Sequence, residues 1–295
     1  MKKVIYISLC VFVFLALFSC RKEASTPLIG ADNYVVSKKN PIKKHNTRIV
    51  SVSTQITEII CDLGCEDRLV ARTDFCDYPP SIKKIQSIGG VSNPNIEKII
   101  SLKPDVVITS SMMPKKLFTQ LEDAGLSVIS FRESNKIEGM YKVISILGTL
   151  LERKAQADSI IKDCQQRLKK VAEISQQMQE AKQGNKPKVY YVVGYGASGD
   201  FSSGKDTYID EIFTLAGADN IAKNSLNWTF TKEQIFKNEP DYIFIRKADV
   251  ENFCNTSPYN QLKAVKNHRV IGIDGLDSQT PRTISLVEFI AKTIY

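Results

Sequence analysis

From residue 48 onward, short apolar runs alternate with stretches whose apolar positions recur every three to four residues. "RIVSV", "LVART", "VVITS" and "SVISF" predict strands. Between and after them, "STQITEIICDLGC", "NIEKIISL", "KKLFTQLEDAG" and "IEGMYKVISILGTLL" predict helices. After Asn185 the same order resumes. "KVYYVVG", "YIFIR" and "RVIGID" read as strands, and "TYIDEIFTLAG", "KEQIFKN", "SPYNQLKAV" and "SLVEFIAKTIY" as helices. Such βα alternation predicts mainly parallel sheets flanked by helices. The fold class is therefore α/β with two lobes, 48–151 and 185–295, each built on its own central sheet.

Residues 152–184 separate the lobes. "ERKAQADSIIKDCQQRLKKVAEISQQMQEAKQ" holds neither Gly nor Pro and is rich in good helix formers. Its apolar stripe, Ala157, Ile160, Ile161, Cys164, Leu168, Val171, Ala172, predicts one long helix packed on its own protein. The stripe keeps no strict heptad, which argues against a coiled-coil partner. One phrase occurs in both lobes: "NIEKIISLKPDVVI" from Asn95 and "KEQIFKNEPDYIFI" from Lys232. In each, a Glu (Glu97, Glu233) opens a short helix and precedes by eight residues the Asp of a Pro-Asp pair that enters a strand. Two like lobes joined by a helix predict a cleft between them.

The first twenty residues have a different character. Lys2 and Lys3 precede the fifteen-residue apolar run "VIYISLCVFVFLALF", too short for a comfortable span and shaped like an export signal. It ends in "LFSC", which resembles the lipobox of bacterial lipoproteins and marks Cys20 as a lipidation site; more than one acyl chain makes such an anchor durable. Residues 21–47 are polar and basic and read as a flexible tether.

Charge and cysteines narrow the function. Of the formal +8, Lys2 and Lys3 carry 2 and residues 21–47 carry 4, leaving +2 for the chain from Arg48. No basic stripe is interleaved with aromatics, which argues against nucleic-acid binding. Beyond Cys10 and Cys20, five cysteines remain (Cys61, Cys65, Cys76, Cys164, Cys254), an odd number that excludes a complete disulfide framework. Cys61 and Cys65 read as small buried hydrophobes, and a pairing of Cys76 or Cys254 stays open.

Two glycine motifs lack their context. "GYGASG" (Gly194 to Gly199) follows a strand, but no helix opens there to meet a pyrophosphate. "GDFSSGKD" approaches a P-loop, with Asp206 where a magnesium-binding hydroxyl belongs. Both read as a Gly/Ser-rich loop lining a cleft. A secreted hydrolase would have to combine Ser202 or Ser203 with His268, without a GxSxG elbow. Two His are too few for a zinc or manganese receptor. The loop aromatics Phe75, Tyr78, Tyr195, Phe201, Trp228 and Phe230 fall where ligands bind in open α/β sheets.

From Arg48 to Tyr295 the sequence resembles the periplasmic solute-binding proteins with a rigid helical backbone, receptors for cobalamin, ferric siderophores and haem that feed ABC importers. The resemblance lies in "RIVSVSTQITEII", "TDFCDYPP", "GGVSNPNIEKIISLKPDVVI", "FSSGKDTYIDEIFTLAGADNIA", "WTFTKEQIFKNEPDYIFI" and "DSQTPR". "CDYPP", "NPNIE" and Trp228 look most like the cobalamin branch. The resemblance implies an interlobe cleft holding cobalamin, with Phe75, Tyr78, Tyr195, Phe201, Trp228, Asp274 and Arg282 facing the ligand. It also implies that Glu97 and Glu233 dock onto arginines of a dimeric permease, itself served by an ATPase. At Gly89-Gly90-Val91 the chain departs from the branch, where a further Trp is expected. An anionic ferric siderophore would call on Arg72 and Arg282, and haem on Tyr78 or Tyr195 as axial ligand. The expectation is a monomeric, lipid-anchored periplasmic receptor without catalysis, whose only metal arrives within its ligand.

Overall fold

The computed structural model describes residues 34–42, 45, 47–225, 227–275 and 278–295. The expected leader, Cys20 and the first part of the tether lie outside the described residues.

In the first lobe, β2 (Ile49–Val52), β3 (Leu69–Ala71), β4 (Val106–Ser110) and β5 (Val128–Phe131) pair in parallel in the order β5-β4-β2-β3. Every residue of β2 and β4 is buried, as continuous apolar runs in a sheet covered on both faces require. The helices α1 (Thr54–Asp62), α2 (Ile96–Ser101) and α3 (Lys115–Asp123) make the crossovers, and α4 (Ile137–Leu150) leads out of β5. The second lobe orders β7 (Asp219–Asn220), β6 (Lys188–Val192), β8 (Tyr242–Ile245) and β9 (Val270–Gly272) into a second parallel sheet. Helices α6 (Tyr208–Leu215), α7 (Lys232–Asn238), α8 (Val250–Asn255), α9 (Lys263–Lys266) and α10 (Arg282–Ile294) accompany it. The architecture is the expected α/β one.

Two expectations need correction. Part of the supposed tether is built into the first lobe: β1 (Tyr34–Val36) pairs antiparallel with β5 at the sheet edge. Tyr34 is buried with its ring 6.0 Å from that of Phe131, and Asn40 Nδ2 donates to Glu122 O at 2.7 Å. Three strand-forming residues inside a basic polar stretch give no local signal, and only the partner strand makes them a strand. "SPYNQLKAV" does not form one helix. A 3₁₀ turn, Tyr259–Gln261, and the single turn α9 replace it, while the unexpected α8 lies just upstream.

Between the sheets runs α5 (Lys154–Ala181), 28 residues and about 42 Å long. It packs against α4 of one lobe and against α6 and α10 of the other. Gly148 allows the α4 contact, because a Cβ there would stand 2.4 Å from Ala157 Cβ. Arg167 of α5 forks onto Glu288 of α10 at 2.8 and 2.6 Å. One hydrophobic core runs from the first sheet through α4, α5, α6 and α10 to the second, so the two halves share an interior.

The duplicated phrase has a structural role repeated in each lobe. Asp105 donates its backbone N–H to Arg48 O at 2.8 Å while Oδ2 accepts from Arg48 N at 2.9 Å. Asp241 does the same with Lys188, at 2.8 and 2.8 Å. The side chains of those partners also correspond: Arg48 Nη2 donates to Leu102 O at 2.7 Å and Lys188 Nζ to Asn238 O at 3.2 Å. Each cation thereby satisfies carbonyls left open at the end of α2 or α7. Lys103 and Glu239, just before the two prolines, both take left-handed backbone angles (φ 47 and 41). Pro-Asp thus pins the start of β2 to β4 and the start of β6 to β8.

Candidate functional site

Both sheets reverse strand order at one point, between β2 and β4 and between β6 and β8. Ligands of open α/β sheets bind at the carboxyl ends of such strands. A cavity of about 520 Å³ opens there between the lobes. Ser53, Thr54 and Gln55 follow β2, Ser110 and Met112 close β4, and Glu133 and Asn135 follow β5. Val91 completes the first lobe's wall. The second lobe contributes Thr207, Tyr208, Ile209, Trp228, Ser278 and Gln279. Hydroxyls and amides predominate, Glu133 supplies the single ionisable carboxylate, and no Lys, Arg or His is among these lining residues.

The floor of the cleft is tied across the lobes by Gln55, Gln279 and Glu211, which sequence reasoning missed, and by Arg282, which it had placed against the ligand. Gln279 accepts on its backbone oxygen from Gln55 Nε2 at 2.8 Å and on Oε1 from Ser134 N at 3.3 Å. Glu211 of α6 reaches over to accept from Ile137 N at 2.5 Å, capping α4, whose own N-cap Lys136 offers no side-chain bond. Burial is the main influence on the Glu211 carboxyl and raises it above the ordinary glutamate value; the Ile137 bond partly offsets this. Arg282 Nε and Nη2 clasp buried Glu58 of α1 at 2.6 and 2.7 Å, and its guanidinium lies 4.0 Å over the Tyr78 ring. Gln279 and Arg282 stand inside or beside "DSQTPR", which is the signal that pointed toward them.

The expected ligand residues separate into three places. Trp228 alone among them lines the interlobe cavity; it is 48% exposed and, like Asn227 before it, holds a left-handed backbone (φ 66 and 50). Such angles are costly for a bulky residue and mark positions held by their surroundings. Here Trp228 O accepts from Ser202 N at 2.8 Å. Phe75, exposed, has its ring over Gly90, one residue from Val91 of the cavity wall. Tyr195 and Phe201 instead line a second cavity of about 210 Å³ at the ends of β6 and β8. Gly199 (φ 108) is needed there, because a Cβ would press within 3.2 Å of the Phe201 ring. Tyr195 is also a scaffold residue: its ring meets Phe253 and Tyr259 edge-on and its hydroxyl accepts from Asn252 Nδ2 at 2.7 Å.

The remaining expected groups have other partners. Tyr78 is occupied by Arg282. Asp274 is exposed and accepts from Lys247 N at 3.3 Å. Arg72 spends its guanidinium on the carbonyls of Ile82, Thr73 and Lys83. Phe230 is core, its ring tilted against that of Tyr190 at 5.7 Å. Ser202 and Ser203 are fully buried and His268 is exposed after α9, so the hydrolase arrangement does not assemble. The five cysteines among the described residues are free thiols, and burial pushes the Cys61 thiol up to about 12, a poor metal ligand. Glu97 and Glu233 are both exposed, in the first turns of α2 and α7. Hydrogen bonds from its own backbone and from Thr231 hold the Glu233 carboxyl below the ordinary range.

Residues 49–275 match the family described as "Periplasmic binding protein". The chain belongs to that family. The chain is 31% identical over 264 residues to the uncharacterized ABC transporter substrate-binding lipoprotein YvrC of Bacillus subtilis, covering 86% of this chain and 82% of the relative. It is 23% identical over 250 residues to the vitamin B12-binding protein of Pectobacterium atrosepticum, covering 84% and 88%. Among solved structures, the vitamin B12 binding protein BtuF of Vibrio cholerae superposes with TM-score 0.70 at 24% identity (85% of this chain, 98% of that one). A periplasmic heme binding protein from Pseudomonas aeruginosa gives 0.74 at 23% (85% and 93%). The fold of this binding protein is that of the family.

One titration of the binding protein follows from the Glu58–Arg282 clasp. Asp62, one turn on from Glu58 in α1, has its carboxyl pushed up to about 6 by burial, then by the Glu58 charge, with Arg282 opposing. A folded-state value above the ordinary 3.8 means that the folded protein holds the proton more tightly than the unfolded chain does. The Asp62 contribution to stability is therefore fully present below about pH 4 and is lost as pH rises through 6. Asp62→Asn should raise unfolding free energy by about 1–2 kcal/mol at pH 7.5, after discounting for partial solvent access, and by nothing at pH 3.5. Urea unfolding at the two pH values checks this, and an equal gain at both would refute the cause.

Proposed function

We propose that this periplasmic binding protein captures a cobalamin-class corrinoid in the interlobe cleft and delivers it to an ABC permease with its ATPase, from the periplasm and from a lipid anchor at Cys20. The observation that carries the reading is the chemistry of the cavity wall: hydroxyls, amides, the one carboxylate of Glu133, and the apolar Val91, Met112, Ile209 and Trp228, with no cation. A corrin ring rimmed by neutral amides matches such a wall through apolar contact and hydrogen bonds. An anionic ferric siderophore finds the expected Arg72 and Arg282 committed to carbonyls and to Glu58. Haem finds Tyr78 and Tyr195 engaged elsewhere. The vitamin B12-binding relatives support the same choice, and the heme-binding neighbour keeps haem as the comparison ligand.

Docking completes the proposal. Glu97 and Glu233, equivalent in the two lobes, present one acid each to a permease of two like halves. Titrating the ligand-free protein calorimetrically with cyanocobalamin, haemin and an anionic ferric siderophore tests the ligand. Cyanocobalamin is expected to bind at about micromolar Kd or better, near −8 kcal/mol, and at least tenfold more tightly than the other two. Binding weaker than about 1 mM would eliminate cobalamin as the cargo.

A further inference from the structure

The two docking helices match each other beyond their acids. With Glu97 set on Glu233, Ile99 falls on Ile235, both fully buried, and Pro104 falls on Pro240, both buried. In the same register Ile100 falls on Phe236, and each is a large apolar side chain left 37% exposed. Residues three apart on a helix share a face, so each acid stands beside its apolar neighbour. A solitary exposed apolar residue needs no explanation. Two at the same register of a duplicated element, each three residues after an exposed acid, form a pattern with the symmetry of the repeat. Among the described residues neither Glu97 nor Glu233 forms an ion pair with a Lys or Arg, and the Glu233 carboxylate is oriented by its own backbone and Thr231.

We propose that Glu97 with Ile100 and Glu233 with Phe236 form a two-point docking surface for a permease of two like halves. Each half would offer an apolar pocket beside a cation. This rests on the docking reading above and divides the labour within it. The acids, solvated and exposed, steer encounter and set orientation. Ile100 and Phe236 are the anchors that lose water in the complex and hold it together, so they act on dissociation.

The experiment uses the full chain and the permease–ATPase complex in lipid nanodiscs, with association and dissociation followed separately. Ile100→Ser with Phe236→Ser is expected to raise koff about tenfold or more, to leave kon within about twofold, and to leave ligand Kd unchanged. Ile100→Gln with Phe236→Gln retains side-chain length and covers the case in which the Ser pair unfolds. Glu97→Gln with Glu233→Gln is expected to lower kon and flatten its salt dependence instead. If koff is unchanged in the folded apolar variants while the Gln-for-Glu pair still slows association, the anchors fail and docking survives. If neither pair alters binding to the permease, docking through these helices is itself wrong.

Discussion

Cells whose only copy of the protein carries Glu97→Arg with Glu233→Arg are expected to lose import of the ligand, while the purified variant binds that ligand with unaltered Kd. Both acids are exposed and belong to short helices whose ends are fixed by other groups, namely Asn95 and the Arg48 cap on α2, and Thr231, Gln234 and the Lys188 cap on α7. Reversing either charge removes only a solvent-screened acid from the first turn of an exposed short helix, a small effect on the fold. Against a permease surface bearing cations, the same reversal sets like charges together at two points, at several kcal/mol apiece. Uptake of labelled cyanocobalamin beside calorimetry on the purified variant separates the two effects. Undiminished uptake would remove the docking assignment, and a changed Kd would show that the substitutions reached the cleft.

The second large effect concerns the clasp beneath the cleft. Arg282→Ala is expected to destabilise the protein by about 3 kcal/mol, because it strands the buried Glu58 carboxylate without its counter-ion. The low end of the range for broken buried pairs applies, since Arg282 is partly exposed and water can enter in its place. Removing both charges, as Glu58→Gln with Arg282→Met, should recover most of that loss. Urea unfolding with the slope compared between variants is the measurement. A loss below 1 kcal/mol for Arg282→Ala would mean that the clasp does not hold α1 to α10. The double variant should also bind ligand normally, which separates Arg282 as a structural group from the ligand-facing role that its family position implies.

These contrasts show how far the chain's pattern could be read. The alternation of strand and helix was legible wherever an element was amphipathic or wholly apolar, as in β2, β4, α5 and α10. It was silent at β1, whose three residues become a strand only beside β5, and at α8, whose single short helix carries no repeat of the apolar spacing. In the site, the aromatic residues were visible but their duties were not. A tyrosine in a loop reads the same whether it faces a ligand or, like Tyr195, folds the loop onto Phe253 and Tyr259. The ties that close the cleft floor, Glu211 to Ile137 and Gln55 to Gln279, join residues 74 and 224 positions apart, and no local window holds both ends. The repeated Glu-to-Asp phrase was readable as repetition. That its Asp pins β2 in one lobe and β6 in the other required the fold.

Trp228 is the chain's one tryptophan, and it stands at the wall of the interlobe cavity. The molecule therefore carries its own optical reporter. Indole emission arises from a single location, with no background from elsewhere in the chain, and a coloured macrocycle seated against it quenches that emission directly. Occupancy can be followed in the unlabelled protein, on the timescale of mixing.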